Sequence, residues 1–165
     1  MKIRIAGYVE ESIVDGPGIR FVVFTQGCPH HCPGCHNPHT HDPAGGCLID
    51  TEELIAKFSV NPLLKGITIS GGEPFCQPVA AAQLAKAAHA IGKDVIVYSG
   101  YTFEQLLQEK AKDSLALLRE IDVLIDGRFE IEKKSLSLRF RGSSNQRAVD
   151  CKESLKFSKA IEIEL

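Results

Sequence analysis

Apolar positions along this chain switch between a two-residue period and a helical one. From Lys2 to Val9, apolar and polar residues alternate, the pattern of a strand with one buried face. Ile19-Arg20-Phe21-Val22-Val23-Phe24-Thr25 is β-branched and aromatic, bracketed by Pro17-Gly18 and Gly27, and predicts a second strand. Short apolar runs at Gly66–Ser70, Asp94–Tyr98 and Ile121–Ile125 read as buried strands, the last ending at Asp126-Gly127. Helical segments lie between them. Thr51 is the expected N-cap of a helix over Glu52–Ser59. Pro78–Ile91 predicts a helix with proline in its first turn and Gly92 in the left-handed position after its end. Its alanine-rich face is expected against the sheet. Thr102 with Gln105 forms a capping box for the following helix. Past Gly127 the periodicity weakens, and Ser135–Phe140 and Ile161–Leu165 are expected as short antiparallel strands.

Strands alternating with helices predict an α/β fold with βα crossovers and a mostly parallel, curved sheet. About four βα steps are visible, too few for a closed eight-stranded barrel. The expectation is a small, open partial (β/α) barrel forming one domain over residues 1–165, since 165 residues suit a single core. A formal net charge of −2 provides no global attraction to nucleic acid or to an anionic membrane. No apolar run approaches a membrane span, and the opening residues lack the apolar stretch of a signal peptide. A cytoplasmic location is therefore expected, where thiols stay reduced. The six cysteines then point to metal or redox chemistry before disulfides.

Residues 26–46 are rich in Cys, Pro, His and Gly and read as a loop. Within it, Cys28-Pro29-His30-His31-Cys32-Pro33-Gly34-Cys35 has C-x3-C-x2-C spacing. Three thiolates on one loop suit three irons of a 4Fe–4S cube and leave the fourth iron open to an amine and a carboxylate. Zinc is the competing reading, with His30, His31, His36, His39 and His41 as sources of a fourth ligand. From this loop alone both stand.

The triplet resembles the cluster loop of radical S-adenosylmethionine (SAM) enzymes, and Gly71-Gly72-Glu73-Pro74 resembles their strand-end SAM motif. Val14-Asp15-Gly16-Pro17-Gly18-Ile19-Arg20 is similar to a stretch of glycyl-radical-enzyme activases. Ser99-Gly100-Tyr101-Thr102 and Arg141-Gly142-Ser143-Ser144-Asn145-Gln146-Arg147 resemble the activases that serve anaerobic ribonucleoside-triphosphate reductase. The resemblance runs from about Gly7 to Arg147, with five segments in order. It implies a 4Fe–4S cluster on Cys28, Cys32 and Cys35, SAM chelating the open iron, and an external low-potential donor such as flavodoxin or ferredoxin. Reductive cleavage of SAM then gives a 5′-deoxyadenosyl radical, which takes a hydrogen atom from a glycine of the large reductase subunit. Activation of another glycyl radical enzyme, of the pyruvate formate-lyase type, and a non-SAM iron–sulfur electron carrier are the alternatives.

SAM contacts are expected from Gly34, Cys35, His36, Gly71, Gly72, Glu73, Ser99 and Asp126. Gly71-Gly72 ends a buried strand, where ligands of parallel α/β folds bind. Exposed carbonyls there, or the Glu73 carboxylate, suit the methionine ammonium. Ser99 suits the ribose or carboxylate, and Asp126 either a ribose hydroxyl or the turn at Gly127. Gly34 stands where the wider superfamily has an aromatic residue near the adenine, and His36 is the candidate replacement. Arg128, Arg139, Arg141 and Arg147 suit SAM or a partner surface, with plain solvated surface as the commoner fate of such charges. Cys47, Cys76 and Cys151 are expected as small apolar groups. Replacing Cys28, Cys32 or Cys35 by Ala is predicted to abolish cluster assembly while Cys151→Ala retains it, as read by iron and sulfide content after anaerobic reconstitution.

Overall fold

The computed structural model describes residues 1–109 and 111–165. Seven strands form one open sheet: β1 (Lys2–Ser12), β2 (Arg20–Thr25), β3 (Cys47–Asp50), β4 (Gly66–Gly71), β5 (Asp94–Ser99), β6 (Val123–Asp126) and β7 (Arg147–Asp150), in the order β3-β1-β2-β4-β5-β6-β7. The middle strands β2, β4, β5 and β6 run parallel. The margins are antiparallel, with β1 against β2 and β3 on one side and β7 against β6 on the other. The sheet is therefore mixed, parallel in its middle and unclosed.

Helices α1 (Thr51–Ser59), α2 (Pro78–Ala90), α3 (Phe103–Glu109), α4 (Lys112–Arg119) and α5 (Cys151–Phe157) accompany the strands, with short 3-10 turns at Pro38–Thr40, Pro74–Cys76 and Ile131–Lys133. Strand alternation directs Ile67, Ile69, Val95, Val97 and Leu124 into the main core, where Leu54, Phe58, Leu84, Leu117 and Leu118 of the helices meet them. Ala81, Ala85 and Ala88 of α2 are fully buried, and their small side chains let that helix lie close on the sheet. The intervening positions Ile96 and Ile125, with Ala148 of β7, form a smaller cluster joined by Tyr98, Ile163 and Leu165.

One end of the parallel strands is fastened by Arg20, whose side chain is fully buried. Its guanidinium donates to Thr68 Oγ1 at 2.8 Å, to the Ile67 carbonyl at 2.8 Å and to the Pro17 carbonyl at 3.1 Å, and pairs with Asp94. Thr68 Oγ1 donates in turn to the Asp15 carbonyl at 2.8 Å. The loop before β2 is thus bound to β4 and β5. Gly16, at φ +134°, has no room for a Cβ, which would lie 2.8 Å from Arg20 Cδ.

The capping box forms as expected, with Thr102 N to Gln105 Oε1 at 2.9 Å and Gln105 N to Thr102 Oγ1 at 3.2 Å. Elsewhere the structure corrects the expectations. Thr51 is the first helical residue, not the N-cap, and its hydroxyl donates to Gln83 Oε1 at 2.7 Å. Ser135–Phe140 is not a strand; one bridge, Lys134 to Ser143, closes this excursion, and Phe140 takes φ +56°. Ile161–Leu165 lies antiparallel beside β7 through a single bridge at Glu162. The strand at this edge is β7 itself, too short and too polar at its ends to show a period. The segment after Thr102 forms two helices.

Replacing Arg20 by Ala removes four bonded donors and leaves a void beneath the sheet. A loss of about 3 kcal/mol in folding free energy is expected, read as a lower urea midpoint.

Candidate functional site

The carboxyl ends of β2, β4, β5 and β6 share one rim because the strands run parallel. From β2 the chain passes through Gln26 and Gly27 into the cysteine loop, and both limbs of that loop are tied down. Gly27 N donates to the Thr40 carbonyl at 2.8 Å and Cys28 N to the His41 carbonyl at 3.2 Å. Gln26 Nε2 donates to the carbonyls of His39 and Asp42 at 3.0 and 2.7 Å. The tip turns tightly, with Cys35 N bonded to the Cys32 carbonyl at 3.1 Å and Gly34 at φ +73°. Asn37 N donates to Cys35 Sγ at 3.4 Å. Burial pushes the Cys28 thiol up, a backbone hydrogen bond from His30 opposes this, and Glu73 with the other two thiols adds to the rise.

The end of β4 is zipped to this loop. Gly72 N donates to the Thr25 carbonyl and Glu73 N to the Gly27 carbonyl, both at 2.8 Å. A Cβ on Gly72 would overlap the Gly27 carbonyl oxygen, so only glycine permits the approach. Glu73 then turns inward and is fully buried. Its carboxylate accepts from Phe75 N at 3.0 Å, Ser99 Oγ at 3.0 Å, Gly100 N at 2.9 Å and the His30 ring at 2.7 Å.

Cys28, Cys32 and Cys35 line one cavity of about 150 Å³ together with Gly71, Gly72 and Ser99 from the strand ends. His36 and Phe129 close one side, with ring centroids 4.8 Å apart. The structure thus gathers the three cysteines, His36, Gly71, Gly72 and Ser99. Three expected contacts have other surroundings and do not line this cavity. Glu73 is held in the knot above. Asp126 is 1% exposed and accepts from Phe103 N at 2.7 Å, which opens α3, and from Arg147 at 2.5 and 2.9 Å. Gly34 meets Ile131 instead, whose Cδ1 would stand 2.6 Å from an added Cβ.

Phe129 escaped the sequence reading, although its place two residues past Gly127 at a strand end is a usable signal. The Arg141–Arg147 segment braces it. Gly142 has no Cβ to press on Phe129, which would lie 3.0 Å away. Gln146 Oε1 accepts from Gly142 N at 2.8 Å and its Nε2 donates to the Gly127 carbonyl at 3.0 Å. Arg147 bridges Asp126 and Glu104, and this pairing draws the Glu104 carboxyl below its ordinary range. Arg128 lines the cavity, whereas Arg139 stacks over Phe140. Of the remaining cysteines, only Cys151 is buried as a small apolar group; Cys47 and Cys76 are exposed.

Among the described residues, no three His, Cys, Asp or Glu side chains converge on a point where a single ion would sit. A 4Fe–4S cube makes no such demand, since each thiolate takes a different iron. Three thiols on one loop, facing one cavity with glycine-lined strand ends opposite, fit a cluster with one open iron and a ligand beside it.

The chain matches the family model described as a 4Fe-4S single cluster domain over residues 14–149. It is 33% identical over 150 residues to the anaerobic ribonucleoside-triphosphate reductase-activating protein of Haemophilus influenzae, covering 84% of this chain and 92% of that one. The protein of the same name from Escherichia coli K12 is 34% identical over 148 residues, covering 84% and 93%, and that of phage T4 is 33% identical over 141 residues, covering 81% and 85%. Matches of this extent, together with a cysteine cavity at the strand ends, place the chain in the family of anaerobic ribonucleoside-triphosphate reductase-activating proteins.

Proposed function

We propose that the chain is a radical SAM activase that cleaves SAM reductively and generates a glycyl radical on anaerobic ribonucleoside-triphosphate reductase. The observation that carries the reading is the single cavity shared by the three thiols and the glycine-rich ends of parallel strands. The relatives named above are activators of that reductase, and they match over more than four fifths of this chain. Bound together, the cluster and SAM supply one-electron cleavage of the sulfonium and the radical that removes a glycine hydrogen.

The protein's part is to hold and to enclose. Cys28, Cys32 and Cys35 hold the cluster. Gly71 and Gly72 bring backbone within reach of the amino-acid end of SAM, with Ser99 beside them. His36 and Phe129 form an aromatic side wall for the adenine, which takes the place of the side chain Gly34 lacks. Glu73 and Asp126 act from behind, one fixing the cluster loop and the other the start of α3. Gly34 lets Ile131 close under the Cys35 turn. No side chain is required as a general acid or base.

A second cavity of about 520 Å³, lined by Asp15, Phe24, Phe140 and Arg141, shares His36, Tyr98 and Phe129 with the first. Such an opening suits a glycine-bearing loop of a large partner, and it supports reading the unclosed sheet as a partial barrel of the radical SAM type. The electron comes from an external low-potential protein donor such as flavodoxin or ferredoxin. No helix among the described residues is long and apolar enough to cross a membrane.

Anaerobic reconstitution with iron and sulfide, followed by reduction with SAM and the reductase, is expected to yield 5′-deoxyadenosine and a glycyl radical doublet by EPR. Failure of a fully loaded cluster to cleave SAM would overturn the reading. In the same preparation, Phe129→Ala is expected to weaken SAM binding about tenfold through loss of the aromatic wall, as measured by equilibrium dialysis.

A further inference from the structure

We propose that His30 is a positioning residue that locks the cluster loop to the SAM-facing strand ends and offers its free ring nitrogen to the amino-acid end of SAM. This rests on the activase reading of the cavity. His30 lies between two of the three cysteine ligands, yet its side chain is only 3% exposed. The ring sits where Gly100 has no Cβ, since an added one would overlap it, and its edge meets Tyr101 at a centroid distance of 4.5 Å. Neighbouring His31 lines a different cavity, so this inward placement belongs to His30 specifically.

The two ring nitrogens have different tasks. Nε2 lies 2.7 Å from Glu73 Oε2, an oxygen that also accepts from Gly100 N and Ser99 Oγ, and in this set of donors Nε2 is assigned as the third. Through Glu73 that bond reaches Ser99 Oγ and Gly100 N at the end of β5. One buried group therefore joins the cysteine loop, the turn after β4 and the end of β5. Nδ1 on the other side of the ring is buried and has no partner among the described residues. A buried polar atom left unpaired is unfavourable. His30 lines the cavity of the three thiols. On the activase reading the amino-acid end of SAM would enter this cavity to reach the open iron, and there it would supply the missing hydrogen-bonding partner.

Side-chain shape separates the two tasks. In Gln the terminal amide nitrogen reaches where Nε2 stood, which keeps the bond to Glu73 and deletes Nδ1. In Asn the amide stays near Nδ1 and falls short of Glu73. Two readouts follow: hydrogen exchange of the peptide spanning Cys28–Cys35 in the metal-free protein, and, in the reconstituted and reduced protein, SAM affinity with the change SAM causes in the cluster EPR spectrum. For His30→Gln we expect loop exchange like that of the unaltered protein, SAM binding weakened about tenfold and the spectral change diminished. For His30→Asn we expect loop exchange about tenfold faster, with SAM affinity retained better than in His30→Ala. Gly100→Ala, which displaces the ring, should reproduce the faster exchange without touching His30.

Unaltered SAM affinity and spectrum in His30→Gln would overturn the ligand contact, and unaltered exchange in both His30→Ala and Gly100→Ala would overturn the lock. Should His30→Ala fail to load iron, His30→Gln and metal-free exchange still decide. A starting protein that loads its cluster but neither binds SAM nor changes its spectrum would instead refute the activase reading, and with it the contact to SAM.

Discussion

The site depends on one buried carboxylate. Glu73 emerges from a parallel strand into an interior where an unpaired charge would be severely unfavourable, so its neighbours must supply donors. They do so with four donors from three directions: its own following turn through Phe75 N, the next strand through Ser99 and Gly100, and the cysteine loop through His30. Hydrogen bonds to a charged acceptor are the stronger kind, and these converge where water does not compete. A loop of cysteines, prolines and histidines, with little regular structure of its own, gains its position this way. The two glycines before Glu73 allow the same convergence sterically, because a Cβ on Gly72 would overlap the Gly27 carbonyl of the loop and one on Gly71 would press on the backbone of β2 at Phe24 and Thr25.

The neighbouring strand end repeats the device. Asp126 leaves β6 as Glu73 leaves β4, buried, and its donors come from the first turn of α3 and from Arg147 on β7. Gln146 and Gly142 then fasten the exit of β6 so that Phe129 stands beside His36. At the opposite end of the strands the polarity reverses, and a buried guanidinium gathers carbonyls and Asp94. Buried charges with full sets of partners thus fix both ends of the parallel strands, while the apolar core between them contributes the cohesion. The side of the sheet away from the helices holds a small apolar cluster, next to a cavity that shares His36, Tyr98 and Phe129 with the one lined by the cysteines.

Much of this was legible in the chain. Apolar runs closed by glycine gave β2, β4, β5 and β6 with small errors at their ends, because a strand buried on both faces has a strong compositional signal. The C-x3-C-x2-C spacing and the Gly-Gly pair were readable because each is a local pattern with a chemical reason. The short margin strands β3 and β7 were not, since exposed or polar positions break up their apolar run and their pairing depends on a neighbour far along the chain. Thr51 looked like a cap because its residue type suits one; Gln83, distant in sequence, took its hydroxyl instead.

The functional side chains divide the same way. The sequence alone determined which groups are thiols, which strand ends carry glycine and therefore which rim carries the candidate site. Only the tertiary structure decided that Glu73 and Asp126 face inward as fasteners, that Phe129 forms the wall beside His36, and that His30 is drawn in while His31 is not. Those outcomes follow from burial and hydrogen bonding between segments tens of residues apart, and a charge or a ring has no fixed role until its surroundings are assembled.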